Sequence, residues 1–276
     1  MCDSPQFSII SVYNDEEILS EFLLKGLRNQ TCQNFEKILV NNSDGIYSSA
    51  ASALNAGADD ASGKYYVFIH QDVLLPPHYL EEAMNYLNDI GEFGIAGAVG
   101  VKGDDSVPPR PVDVNIIQTG LNKTSRESNV KNISDPAEVE AVDELLLIIP
   151  AKVFSKENFS QDICNGWHLY GIEFCLRMKS VEKQIITLPI ELWHRDGELK
   201  RNWKHDLTLL RIINEYDNVD RIYVPRHSWP ATRTHVIYRL LRNIPIINIV
   251  VRVIHSIKKN GLYDTLRLIS KRLRRI

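Results

Sequence analysis

The 276 residues carry 44% hydrophobic and 24% charged side chains and a formal net charge of −3. This composition fits one large α/β domain, with or without an appendage, and excludes collagen-like and disordered classes. Four cysteines, Cys2, Cys32, Cys164 and Cys175, contain no Cys-x-x-Cys pair, which excludes a disulfide framework, a zinc ribbon and a thioredoxin-type site.

Phe7-Ser8-Ile9-Ile10-Ser11-Val12-Tyr13 predicts a first strand. Asn14-Asp15 can cap the helix that follows, with Glu16 and Glu17 in its first turn and Ile18, Phe22, Leu23 and Leu27 at helical spacing. Ile38-Leu39-Val40 predicts a second strand that ends in the polar turn Asn41-Asn42-Ser43-Asp44-Gly45. Residues 48–61 are small and alanine-rich and predict a helix lying close to the sheet. Lys64 to Ile69 is β-branched and aromatic, an interior strand that runs into His70-Gln71-Asp72-Val73. Pro76-Pro77 opens a helix through Asn88, and Ile95 to Val101 predicts a fourth strand. Residues 102–138 are polar and read as a long loop with a short hairpin at Val112–Ile117. Further on, Val142–Ile149 reads as a strand, Trp167–Lys179 as a helix, Ile185–Pro189 as a strand and Trp203–Tyr216 as a helix. The alternation of strand and helix argues for an α/β fold with a mainly parallel central sheet flanked by helices.

Ligands in such sheets bind beyond the carboxyl ends of the strands. Three loops meet that edge: Tyr13-Asn14, Asn41 to Asp44, and His70-Gln71-Asp72. A carboxylate and an imidazole there can face a metal or a phosphate; the same residues also make an ordinary strand end. The glycines Gly94, Gly97 and Gly100 lie within an apparent strand and do not form a dinucleotide-binding fingerprint.

Asn55-Ala56-Gly57, Ala61-Ser62-Gly63-Lys64, the apolar strand and His70-Gln71-Asp72 together resemble the donor-sugar signature of GT-A-fold glycosyltransferases of the broad family 2 group. There an Asn-x-Gly, an Ala-x-Gly and an apolar strand lead to an Asp-x-Asp metal motif. The variant His-Gln-Asp-Val and the segment Trp167-His168-Leu169-Tyr170-Gly171-Ile172-Glu173-Phe174-Cys175-Leu176 are similar to the subgroup named after the streptomycin-biosynthesis protein StrF. The resemblance covers roughly residues 7 to 196.

The resemblance implies a GT-A hexosyltransferase that uses a nucleotide-sugar donor, a divalent metal (Mn²⁺ or Mg²⁺) and, with the family's usual mechanism, anomeric inversion. It places the donor on Ser11, Tyr13 and Asn14 of the first loop and on Asn41, Ser43 and Asp44 of the second, with Asn41 where relatives carry a base-reading Asp. Asn55 and Gln71 complete the donor signature. Asp72 becomes a metal ligand, joined by His70, which stands where relatives carry an acid, and by the late His194. An imidazole in that set suits Mn²⁺ better than Mg²⁺. Arg195 is placed to assist the diphosphate, the acidic pair Asp143-Glu144 before the apolar strand to face the sugar or acceptor pocket, and Trp167 to stack on a sugar. The family's catalytic acid falls near Tyr170-Gly171, where this chain has none, which leaves Glu173 and His168 as candidate bases. A GT-A-like sugar nucleotidyltransferase and a non-catalytic scaffold are the rival readings.

The charge is uneven. Residues 226–276 hold 12 Lys or Arg against one acid, Asp264, while the remainder carries −14. The expected division is therefore a transferase domain over 1–225 and a basic tail over 226–276. Leu262, Leu266, Ile269, Leu273 and Ile276 recur at four- and three-residue steps among Arg267, Lys271, Arg272, Arg274 and Arg275. This pattern predicts a basic amphipathic helix, suited to an anionic membrane surface or to packing on the acidic body or a second subunit. No nucleic-acid-binding motif accompanies the charge. Met1 to Gln6 lack a secretion-signal pattern. The expectation is a cytoplasmic protein, peripheral on the inner membrane face, acting on a glycan or lipid-linked acceptor.

Overall fold

The computed structural model describes residues 4–104, 106, 111–114, 118–119, 130–131, 133–195, 203–225 and 227–242. The amphipathic repeat expected between Leu262 and Ile276 lies outside the described residues.

A seven-stranded sheet organises the molecule. Its spatial order is Ala137–Glu138, Ile185–Thr187, Ile95–Gly97, Leu146–Pro150, Tyr65–Ile69, Phe7–Tyr13 and Phe35–Asn41. Five of these strands point the same way; Leu146–Pro150 and Ala137–Glu138 run against them. The sheet is thus mostly parallel, as the strand–helix alternation predicts. Phe7–Tyr13 pairs in parallel with both of its neighbours, Tyr13 opposite Asn41 and Ile10 opposite Phe68. Three carboxyl ends therefore meet at one edge.

Both faces of the sheet are covered, which is why its strands are apolar almost throughout. The alternation of side chains divides each strand between two cores. Phe7, Ile9, Tyr65, Val67, Ile69, Leu146 and Ile148 face the core closed by residues 16–28 and by the helix Tyr79–Ile90. Ile10, Phe68, Leu147 and Ile149 face the other, closed by the helices Ala50–Ala58 and Tyr170–Ser180. Residues 16–28 form one helix whose middle turn, Ser20–Leu24, is π-helical. Asp15 caps it, accepting a hydrogen bond from the Ile18 amide at 3.0 Å.

Two expected strands divide. Ile95–Gly97 belongs to the central sheet, whereas Gly100–Gly103 joins a four-stranded sheet with Ala141–Val142, Pro111–Val114 and Val130–Lys131. Ala141–Val142 likewise parts from Leu146–Pro150. Asp143 makes the break: its Oδ1 accepts the Leu145 amide at 3.0 Å and turns the chain at Asp143-Glu144. An uninterrupted apolar run concealed the first break from the pattern; the second falls at the acidic pair Asp143-Glu144. The expected hairpin at Val112–Ile117 is also different: Pro111–Val114 pairs with Gly100–Gly103 instead, and 115–117 lie outside the described residues.

The described start of the basic segment makes contacts with residues before 226. His227–Pro230 pairs antiparallel with Arg221–Val224, and Trp229 and Val236 are buried in the core.

The Ala50–Ala58 helix lies hard on the sheet. A Cβ on Gly57 would stand 2.9 Å from both Ile10 Cγ2 and Val40 Cγ2. Gly57→Val is expected to cost about 1–3 kcal/mol through overpacking, read as a lower urea midpoint; an unchanged midpoint would contradict this packing.

Candidate functional site

The Tyr65–Ile69 strand ends in a turn over His70–Val73, in which the Val73 amide donates to the His70 carbonyl at 3.3 Å. The His70 amide donates to the Leu145 carbonyl at 3.0 Å, tying the turn to the neighbouring strand. Val73–Leu74 then pairs antiparallel with Trp193–His194, Val73 opposite His194. This register brings His194 from far along the chain onto Asp72. His194 Nε2 lies 3.3 Å from Asp72 Oδ1, and the Arg195 amide donates to the Asp72 carbonyl at 3.0 Å. The His70 and His194 rings are 5.9 Å apart, and one ligand atom from each of His70, Asp72 and His194 falls within 4.8 Å of the others.

Burial works to raise the Asp72 pKa, but the hydrogen bond and charge of His194, with the charge of His70, outweigh it and hold the carboxyl below its ordinary value. The His70 pKa is lowered as well, which favours the neutral imidazole: burial and the neighbouring His194 lower it, while Asp72 and Asp143 oppose them. A carboxylate beside a neutral imidazole is the state a metal ion needs. Two nitrogens and one carboxylate oxygen form a donor set that fits Mn²⁺ and other first-row divalent ions.

A cleft of about 400 Å³ opens next to this triad, lined among others by Tyr13, Asn14, Asn42, Gln71, Asp72 and Trp167. That is a size suited to a small-molecule ligand. Gln71 locks its two walls together. Its Oε1 accepts the amides of Asn14 and Asp15 at 3.0 and 3.2 Å, and its Nε2 donates to Asn14 Oδ1 at 2.7 Å. Trp167 stands 44% exposed at the rim.

Not every expected residue reaches the cleft. Asn41 is exposed and its Oδ1 closes a turn on the Ser43 amide at 2.8 Å. Asn42, one position on, lines the cleft, held by paired bonds to the Tyr47 backbone. Two adjacent asparagines left that choice open to the pattern. Ser43 and Asp44 are exposed in the same turn, and Ser11 is fully buried within its strand. Asn55 is buried and bridges to the Phe159 backbone, donating at 2.8 Å and accepting at 3.1 Å. Arg195 is exposed beside the triad.

Glu173 is turned into the core at 1% exposure. It accepts from the Tyr216 hydroxyl at 2.6 Å and pairs with Arg177 at 3.2 Å. The structure does not bring it to the cleft, because the first helical residue is Tyr170 and position 173 then faces Tyr216. His168 lies in the loop before the helix, which begins at Tyr170 rather than at Trp167. With Asp143, Glu144, Leu169, His205 and Trp229 it lines a second cavity of about 100 Å³. His205 and Trp229 come from the last third of the described chain and carried no recognisable pattern.

The family described as "Glycosyltransferase like family" matches residues 8–224. The chain belongs to this glycosyltransferase-like family. Solved structures similar to this family member include S. aureus TarS 1-349 in complex with UDP-GlcNAc, at 13% identity and a TM-score of 0.55, over 87% of this chain and 71% of that one. GalNAc-T7 with UDP, GalNAc and Mn²⁺ is similar at 11% identity and a TM-score of 0.57, over 79% of this chain and 48% of that one. The mannosyltransferase PcManGT from Pyrobaculum calidifontis, in complex with GDP-Man and Mn²⁺, gives 11% identity and a TM-score of 0.53 over 99% and 81%. At these identities the likeness establishes the fold, GT-A. Compared by sequence with curated proteins, the chain matches none. Among the described residues, no helix of this glycosyltransferase-like protein is long and apolar enough to cross a membrane.

The triad predicts a metal affinity that depends on proton release. Mn²⁺ affinity should fall at least ~10-fold in Asp72→Asn and in His194→Ala. In the wild type it should fall as pH drops through the His70 pKa, which burial and His194 hold below the ordinary histidine value. Isothermal titration across pH 5 to 8 (roughly the histidine range) checks both; an affinity indifferent to pH and to Asp72 would contradict the assignment.

Proposed function

We propose that this protein transfers a hexosyl group from a nucleotide-sugar donor to a hydroxyl of a glycan or lipid-linked acceptor, with inversion at the anomeric carbon. The observation that carries the reading is the convergence of His70, Asp72 and His194 within 4.8 Å at the carboxyl edge of the sheet, beside a cleft able to hold a nucleotide. A divalent ion held by these three would neutralise the charge that develops on the leaving diphosphate. The donor set favours manganese over magnesium.

The chain's own groups supply the positioning. Gln71 fixes the Asn14 loop against the His70–Val73 turn, so that nucleotide and diphosphate sites share one rigid frame. Asn42 presents the polar side chain nearest the role expected of Asn41. Trp167 offers an exposed aromatic face at the cleft rim. The two segments that resemble the StrF subgroup both contribute to this cleft, His70, Gln71 and Asp72 from one and Trp167 and Tyr170 from the other, which supports membership of that subgroup. UDP, UDP-GlcNAc and GDP-Man accompany the similar structures, so uridine and guanosine donors head the candidates. The basic sequence of residues 243–276 supports an acceptor presented at an anionic membrane surface.

Nucleoside diphosphate release from a panel of UDP- and GDP-sugars, with and without Mn²⁺, tests the reading. One nucleotide class should turn over, only with metal, and Asp72→Asn should lower kcat/KM at least ~100-fold. Folded protein that turns over no donor would contradict it. Where a product forms, NMR should show the inverted anomer; retention would contradict the stereochemical part.

A further inference from the structure

Glu144 comes from the turn before the Leu146–Pro150 strand, yet its carboxylate sits at the start of the Tyr170–Ser180 helix. Its Oε1 accepts the Gly171 amide at 2.8 Å. A Cβ on Gly171 would lie 2.9 Å from Glu144 Cγ, so the helix start closes on this carboxylate only because residue 171 has no side chain.

Capping is not the carboxylate's whole setting. Glu144 is half-buried and lines the 100 Å³ cavity with His168, His205 and Trp229. The three rings form a connected wall, with His168 to His205 at 5.9 Å and His205 to Trp229 at 5.5 Å. Imidazoles beside an indole edge offer both hydrogen bonds and an apolar face, the combination that holds a hydroxylated ring. Two residues, Asp143 and Tyr170, link this cavity to the donor cleft. Asp143 lines the cavity and also acts on the charge of His70. Tyr170 lines the cleft and donates its hydroxyl to the Glu144 carbonyl at 3.3 Å.

We infer that Glu144 is the base that takes the proton from the acceptor hydroxyl, and that His168, His205 and Trp229 border the acceptor at that hydroxyl. This rests on the transferase reading above. The acceptor O–H bond breaks and its proton passes to the Glu144 carboxylate. The acceptor oxygen bonds to the anomeric carbon as the bond from that carbon to the diphosphate oxygen breaks, and its electron pair leaves with the nucleoside diphosphate. Glu144 then returns the proton to solvent.

The electrostatics agree. Burial raises the Glu144 carboxyl to about 8; the Gly171 amide opposes the rise, Asp143 adds to it, and the Leu169 and Ile172 amides oppose it. Other ionisable groups near it are Tyr170, Cys164, Cys175, His168 and His205. A base matched to near-neutral pH is most effective in proton transfer. It works deprotonated, so activity should be lost as pH falls through its pKa.

The test is hydrolysis of UDP-GlcNAc and GDP-mannose with Mn²⁺, water standing in for the acceptor. Glu144→Gln keeps an oxygen for the Gly171 amide and removes the base. It should lower kcat by about 10²–10⁴-fold, with donor KM and nucleoside diphosphate affinity unchanged. Wild-type kcat should rise with pH toward a midpoint near 8, a limb that Glu144→Gln lacks and Glu144→Asp keeps. A Glu144→Gln rate within about threefold of wild type overturns the inference, since a base contributes far more than that. So does a wild-type profile flat across that range, or loss of turnover in Glu173→Gln while Glu144→Gln stays active. If Glu144→Gln does not fold by circular dichroism, the wild-type and Glu144→Asp profiles decide. A folded wild type that neither binds nor hydrolyses either donor removes the transferase reading itself, and this inference with it; failure of Glu144 alone leaves that reading standing.

Discussion

The site depends on a two-residue antiparallel pairing, Val73–Leu74 against Trp193–His194. Side chains alternate along a strand, so a slip of one residue would swing His194 to the other face and leave Asp72 without its imidazole partner. Gln118–Thr119 pairs along the other side of Trp193–His194 and helps pin the register. The backbone bond from Arg195 to Asp72 extends the match beyond the strand itself. A short pairing can carry this burden because the strand before it, Tyr65–Ile69, is locked between two neighbours in a buried sheet.

Two carboxylates lie at the start of the same helix in contrasting settings. Glu173 is neutralised by Arg177 and hydrogen-bonded to Tyr216, which suits a group that fastens the helix to its surroundings. Glu144 has amides rather than a cation against it, and Asp143 beside it. Burial raises the pKa of both, but Glu144 lines the cavity beside His168 whereas Glu173 is enclosed in the core. The difference lies in what surrounds each carboxylate, the factor that assigns acid–base roles to chemically identical groups.

Much of the frame was legible in the sequence, because a buried parallel strand followed by polar residues is a strong local pattern. Tyr65–Ile69 with His70 and Asp72 shows this, as does the polar end of Phe7–Tyr13. His194 could be placed only through resemblance, since nothing local announces a partner so far along the chain. The choice between Asn41 and Asn42 turned on which side chain closes the turn, a matter of backbone geometry that two identical residues cannot reveal. Asn55 sits in the donor signature but spends its amide on the Phe159 backbone. The acidic pair Asp143-Glu144 was legible through resemblance, but the place of Glu144 at a distant helix start was not: it follows from the strand break at Asp143 and from the missing side chain at Gly171, and both are tertiary facts.

The most direct test of the central claim is anomalous diffraction at the manganese edge from crystals grown with Mn²⁺ and a nucleoside diphosphate. The account predicts one strong peak within bonding distance of His70, Asp72 and His194, touching the diphosphate in the cleft beside Tyr13 and Asn42. Nucleotide bound in that cleft with no peak at the triad would contradict it.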